Sequence, residues 1–327
     1  MNWVDLSSST WGPKLVRTLC NLLPRSQAYQ LGDRLTASII HREENTLVNG
    51  LRTNLAAVYG LPEEHPRVHR MVLSLFQNLV RGYVDLYKAL EKGSQGVFAS
   101  CEFDDGLLEA VDSCLASGQG LVLVGAHSCS FDLLLLALTR YFPEVQALTK
   151  SDPEGSSVVM NKIREKFGVR VTPISVQALR EAVQRLKSGG VVVIAADVPV
   201  ESGEKLIFFR RKTCLPIGHA RLAMKTNAKM IVGTSMRVSD GLYRAIGAQV
   251  HQPTPTGDRN RDVIRWAQHS LFLLERFIRE RPHEWFMPIP LWFDAKAKNQ
   301  LHKIPITMPL IPKEDSYVLG KDNVSTG

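Results

Sequence analysis

The stretch LVLVGAHSCSFD ends an apolar run on two groups capable of proton chemistry, His127 and, five positions on, Asp132. Leu121 to Val124 has the composition of a buried strand and Phe131 to Tyr141 that of a helix. The pattern predicts a strand, a turn that presents His127, and a helix whose first turn carries Asp132. Reactive groups in layered folds gather beyond the C-terminal ends of strands. A carboxylate accepting from one imidazole nitrogen fixes the tautomer and makes the other nitrogen more basic. Such a pair suits removing a proton from a hydroxyl that attacks an acyl carbonyl. A histidine after a strand is also an ordinary structural residue, and that reading stands beside the first.

Other groups nearby offer competing chemistry. Cys129 is a possible thiol nucleophile, although nothing in the sequence orients His127 onto it. Ser128 and Ser130 are possible hydroxyl nucleophiles, but the G-x-S-x-G elbow is missing. His219 and His269 stand alone in helical stretches, so no metal site is expected. A second strand-like run, VVVIAADVPVESGEK, ends on Asp197, with Glu201 and Glu204 in the loop that follows. Any of the three could line the same cleft. Arg210, Arg211 and Lys212 come after the next apolar run, and Lys150, Lys162 and Arg164 after the one near Val145. Guanidinium and ammonium groups at such places suit a phosphate, or are simply solvated.

The elements that must position these residues follow from periodicity. Residues 1–95 read as helical. Leu15, Val16, Leu19, Leu22 and Leu23 form one apolar stripe with Trp3 and Trp11 upstream and Lys14 and Arg17 beside it. Pro66 opens a longer helix that ends before Gly93. That first stripe either packs on the core or lies on a membrane surface. From residue 104 onward, short β-rich runs alternate with helical ones, and Asp258 to Arg281 is a long helix stopped by Pro282. Alternation of this kind predicts an α/β fold: a layered, mostly parallel sheet flanked by helices, with a helical N-terminal segment. The expected division is a helical segment over 1–95, an α/β domain over 96–295 and a loosely ordered, Lys- and Pro-rich tail over 296–327.

Composition excludes several classes. With 44% hydrophobic and 22% charged residues in 327, the chain is neither disordered nor collagen-like. Its apolar runs fall far short of the roughly 18–20 residues that cross a bilayer, and MNWVDLSSSTWGPK lacks the pattern of a secretory signal. The five cysteines, an odd number without a CxxC, read as reduced thiols. A net charge of +8 suits an anionic partner. No nucleic-acid-binding signature accompanies it, so a nucleic acid is not expected.

Several blocks, in order, resemble one family. GLVLVGAHSCSFDLL resembles the H-x4-D/E block of the lysophospholipid acyltransferase superfamily. More narrowly it is similar to the bacterial lipid A lauroyl and myristoyl transferases and to the related phosphatidylinositol mannoside acyltransferase. LRTNLAAVYG, the strand ending at Asp197, FFRRKTCLPIGHARLAMKTNAKMI and RPHEWFMPIPLWF each resemble a further block, over roughly residues 10–295. The resemblance implies transfer of a fatty acyl chain from a thioester, on acyl carrier protein or coenzyme A, to a hydroxyl of a membrane lipid or glycolipid. It implies no metal, no cofactor beyond that co-substrate and no covalent enzyme intermediate. Carried onto this chain, His127 is the general base, Asp132 its orienting acid and Asp197 the acid after the second strand. Glu201 or Glu204 lies near a glutamate used by the mannoside enzyme, and Arg164 near an arginine downstream of the catalytic block. Lys150, Arg210 and Arg211 are the further candidate substrate contacts. The chain departs from the pattern at Cys129-Ser130-Phe131, where Gly-Asn-Trp is common, and at Arg210, where a glycine is usual. It lacks the N-terminal membrane span frequent in the lipid A enzymes, so a peripheral place on the cytoplasmic face of the membrane is expected. A glycerolipid acyltransferase or a degenerate lipid-binding protein are the alternatives.

Overall fold

The computed structural model describes residues 12–40, 46–142, 144–149, 152–153, 156–200 and 202–292. The N-terminal part is helical: α1 (Gly12–Leu22), α2 (Arg25–Ile40), α3 (Thr46–Tyr59), the 26-residue α4 (Pro66–Glu91) and α5 (Gly93–Ala99). Strands and helices then alternate: β1 (Cys101–Phe103), α6 (Asp105–Ser117), β2 (Leu121–Gly125), α7 (Phe131–Ala137), β3 (Val145–Thr149), α8 (Ser156–Lys166), β4 (Val169–Pro173), α9 (Val176–Lys187) and β5 (Val191–Ala195). A hairpin of β6 (Glu204–Phe208) and β7 (Arg211–Leu215) precedes α10 (Gly218–Thr226), β8 (Lys229–Ser239), β9 (Leu242–Gln249) and α11 (Arg259–Glu280).

Among the described residues, seven strands form one sheet in the order β1-β9-β8-β2-β5-β3-β4. The five from β8 to β4 run parallel; β9 turns back antiparallel on β8, and β1 lies parallel to β9. The fold is therefore the expected α/β sandwich with a mostly parallel sheet. The pattern of β2 shows why it takes the centre. All five residues are buried, as a strand covered on both faces requires. Leu121 and Leu123 turn to the layer holding α6 and α7, where they meet Leu107, Val111 and Leu133. Val122 and Val124 turn to the layer of α9, α10 and α11, where they join Ala182, Ala223 and Leu271.

Two polar clusters and one close backbone approach hold the N-terminal helices and the C-terminal segment against this sandwich. Asp85 of α4, fully buried, accepts from Arg25 Nε at 2.8 Å, Tyr29 Oη at 2.6 Å and Tyr243 Oη of β9 at 2.8 Å. Asn54 of α3 donates to the carbonyls of Met287 and Ile289 and accepts from the amide of Leu291. Gly82 lets α4 touch the turn after β2: a Cβ there would lie 2.3 Å from the carbonyl oxygen of Cys129.

The α1 stripe is not single. Val16, Cys20 and Leu23 face Tyr29, Val84 and Tyr87, whereas Leu19 and Leu22 point to solvent. The 3.6-residue repeat rotates these two leucines off the buried side. Trp3, Trp11 and the tail lie outside the described residues, as do the side chains of Lys14 and Leu15.

Candidate active site

β2 and β5 are neighbours in register, with Gly125 opposite Ala195. His127 and Asp197 therefore leave the sheet at the same height, each two residues past the end of its strand. His127 Nδ1 lies 2.7 Å from Asp197 Oδ1, and the His127 main-chain amide donates to Oδ2 at 2.8 Å. A carboxylate only accepts, so the proton sits on Nδ1 and the lone pair of the neutral ring is on Nε2. Asp197 is fully buried and His127 nearly so. Burial raises the Asp197 carboxyl, but the adjoining imidazole and the hydrogen bonds to it overcome that and hold it below the usual carboxylate range. The arrangement can take a proton at Nε2 while the carboxylate balances the imidazolium that results.

Asp132 is not the carboxylate on His127. It accepts from Arg164 Nε and Nη2 of α8, both at 2.7 Å. The chain has entered α7 by then, which carries Asp132 toward α8, while the Phe131 ring lies 6.5 Å from the imidazole and 6.0 Å from the Arg164 guanidinium. Arg164 is itself buried and also bonds Asn161, so it is half of an internal ion pair rather than a free cation. Glu204 opens β6 with its carboxylate 3.8 Å from Arg221 of α10, and no described contact joins it to His127 or Asp197. Arg210 and Arg211 lie exposed at the tip of the β6–β7 hairpin, Arg211 over the Trp292 ring. Lys162 is exposed on α8. Lys150 and Glu201 lie outside the described residues. Cys129 is buried, and burial pushes its thiol well above the ordinary range.

Residues from the far end of the chain complete the site. Segment 284–286 runs against the turn after β2: Cys129 N donates to Glu284 O at 2.8 Å, Phe286 N to His127 O at 2.7 Å, and Ser128 bridges Trp285. The Trp285 indole donates to Asp197 Oδ2 at 2.9 Å. Glu284 receives the Arg237 amide, and burial pushes its carboxyl up to about 7. Ser235 of β8 bonds both Ser128 and Ser130, at 3.2 and 2.8 Å. Two small cavities of about 10 Å³ flank Ser128. A larger hollow of about 530 Å³ lies at Arg52, Glu64 and His69, away from these groups; chemistry rather than volume places the site. Among the described residues, no three His, Cys, Asp or Glu side chains are gathered as a metal site. The block RPHEWFMPIPLWF was the one sequence signal for Trp285; nothing marked Ser235.

A parallel sheet that delivers a buried histidine and its carboxylate from two adjacent strand ends defines an α/β protein equipped for acid–base chemistry. Residues 8–293 match the family described as bacterial lipid A biosynthesis acyltransferase, and the chain belongs to that family. It is an acyltransferase. Similar proteins include the phosphatidylinositol mannoside acyltransferase of Mycobacterium tuberculosis (strain CDC 1551 / Oshkosh), 26% identical over 256 residues, covering 76% of this chain and 78% of that one. The phosphatidylinositol mannoside acyltransferase of Mycolicibacterium smegmatis (strain ATCC 700084 / mc(2)155) is 26% identical over 249 residues, covering 74% and 78%.

Proposed function

We propose that this acyltransferase moves a fatty acyl chain from a thioester, on acyl carrier protein or coenzyme A, to a hydroxyl of a membrane lipid or glycolipid. Lipid A precursors and mannosylated phosphatidylinositols are the acceptor classes its family and relatives suggest. The observation that carries the mechanism is the contact of His127 Nδ1 with the buried Asp197 carboxylate. His127 Nε2 takes the proton of the acceptor hydroxyl as its oxygen attacks the thioester carbon. The tetrahedral intermediate collapses, the C–S bond breaks, and the imidazolium returns its proton to the leaving thiolate. Asp197 remains ionised and stabilises the imidazolium throughout. Transfer is direct, with no acyl-enzyme on Cys129, whose burial keeps it a thiol. No metal takes part.

The protein works from the membrane surface, on the cytoplasmic face. No helix among the described residues is long and apolar enough to cross a bilayer. Leu19 and Leu22 of α1 and Leu31 and Leu35 of α2 are exposed, with Arg17 and Arg34 also at the surface. Apolar side chains edged by cations suit the boundary of an anionic membrane, and the net charge of +8 draws the chain to it.

The test is thioester turnover by purified protein. Palmitoyl-CoA is supplied with micelles of a mannosylated phosphatidylinositol or a lipid A precursor. Free CoA and acylated lipid should appear in equal amounts, and His127→Ala should stop both. Lipid bound without any CoA release would mark a binding protein instead.

A further inference from the structure

We propose that Trp285 is a positioning residue of the reaction, acting on His127 through the indole N–H that it donates to Asp197. The inference rests on the assignment of His127 as the base and deepens it.

Three donors fix the plane of the Asp197 carboxylate. Oδ1 faces His127 Nδ1, while Oδ2 takes both the His127 amide and Trp285 Nε1. With the carboxylate fully buried, water has no ready access to replace a missing donor. The main-chain amide is part of the same turn as the imidazole and moves with it. Trp285 is the donor to Asp197 that comes from outside the two strand ends, 88 positions along the chain. It therefore references the carboxylate to the rest of the fold.

The indole is itself held firmly. Its backbone bridges Ser128, and the main chain on either side bonds Cys129 and His127. Trp285 is 2% exposed, its ring packed 5.7 Å from that of Phe209 and, edge-on, 6.1 Å from that of Phe208. The hairpin that supplies those rings bears a backbone cost to do so. Phe209 and Arg210 form its two-residue turn at φ of +50° and +62° without a glycine. L-residues there cost roughly 1–2 kcal/mol each. The Glu275 carboxylate, accepting the Phe209 amide at 2.8 Å, holds the turn in place. The result is a chain of contacts from α11 through Phe209 and Trp285 to Asp197 and His127.

The test separates the N–H from the ring. Trp285→Phe keeps a buried aromatic; replacing the residue with β-(3-benzothienyl)alanine keeps the bicyclic shape and removes the donor alone. Turnover of palmitoyl-CoA with the two acceptors above gives kcat and KM. Both changes should lower kcat about tenfold or more while KM for palmitoyl-CoA stays within about twofold, with the benzothienyl protein melting like the parent. In an Asp197→Asn background the same replacement should have little further effect, because its route of action is already broken. Unchanged kcat in the benzothienyl protein would overturn the proposal, as would losses that simply multiply in the double variant. His127→Ala is run alongside. If it retains turnover, the base assignment itself fails; if it is inactive while the benzothienyl protein is unaffected, the role of Trp285 alone fails.

Discussion

His127 and Asp197, 70 positions apart in the chain, meet at 2.7 Å because β2 and β5 pair in register and each strand is followed by the same two-residue step. The contact is set by the pairing of two adjacent strands, of which β2 is buried throughout, because each residue follows its strand end within two positions. A pair held this way is preorganised, and the consequences of disturbing it can be stated residue by residue.

Asp197 and Asp132 should fail differently. His127→Ala is expected to lower kcat by roughly 10²–10⁴. Asp197→Asn removes the charge that balances the imidazolium and should cost at least about tenfold in kcat. Asp132→Asn leaves the buried Arg164 facing a neutral amide. It should destabilise the protein by up to about 3 kcal/mol, read as a lower melting temperature. Normal turnover in Asp197→Asn, with an inactive but fully stable Asp132→Asn, would show that the orienting carboxylate has been misassigned.

Cys129→Ala should keep most activity. The thiol is buried, raised well above its ordinary range and in contact with the Leu75 carbonyl at 3.8 Å. Mass spectrometry of protein quenched during turnover checks this, since an acyl adduct on Cys129 contradicts direct transfer.

Gly82→Ala should damage the site through the turn after β2, although no described contact joins Gly82 to His127 or Asp197. The added methyl would sit 2.3 Å from the Cys129 carbonyl, so either α4 or the turn bearing His127 must move. Overpacking of this kind costs about 1–3 kcal/mol. Both melting temperature and kcat should drop, and a variant matching the parent in both would mean that the two segments part easily.

Glu284 should make stability depend on pH. A carboxyl that titrates higher in the fold than in the unfolded chain favours the fold fully below its unfolded value, about 4.3. That contribution is lost as the pH rises to about 7. Glu284→Gln removes the titration. Its stability relative to the parent should therefore increase between about pH 5 and about pH 8, by on the order of 2 kcal/mol. Chemical denaturation at the two pH values measures it; a constant difference contradicts the burial argument.

The exposed leucines test the membrane surface without cutting into the core. Deleting residues 1–23 would also remove Cys20 and Leu23, which pack on Tyr29 and Val84. Leu22→Glu with Leu35→Glu changes solvent-facing positions instead. Each leucine buried in lipid is worth roughly 1.5–3 kcal/mol, so sedimentation with anionic vesicles should weaken at least about tenfold. Binding should also fall with salt. Equal sedimentation of the double variant and the parent would place lipid contact elsewhere.

Much of the architecture was legible in the sequence because it is encoded locally. The all-apolar runs of β2 and β5, the helical spacing of α9 and α11, and Pro66 at the start of α4 each specify an element through nearby residues. The position of His127 just past a buried strand was legible for the same reason. Its partner was not. Asp132 is near in sequence but is carried by α7 to Arg164, while Asp197 is distant and is brought in by strand pairing. The three-residue β1 and the strand β7, rich in charge, carried too weak an alternation to stand out. The apolar residues of α1 spread over much of its circumference, so periodicity alone could not say which side, that of Cys20 or that of Leu22 two positions on, would face the core. Which strand lies beside which, and which end of the chain closes the site, depends on burial summed over the whole sandwich. Trp285 and Asn54 obtain their roles only from that long-range packing.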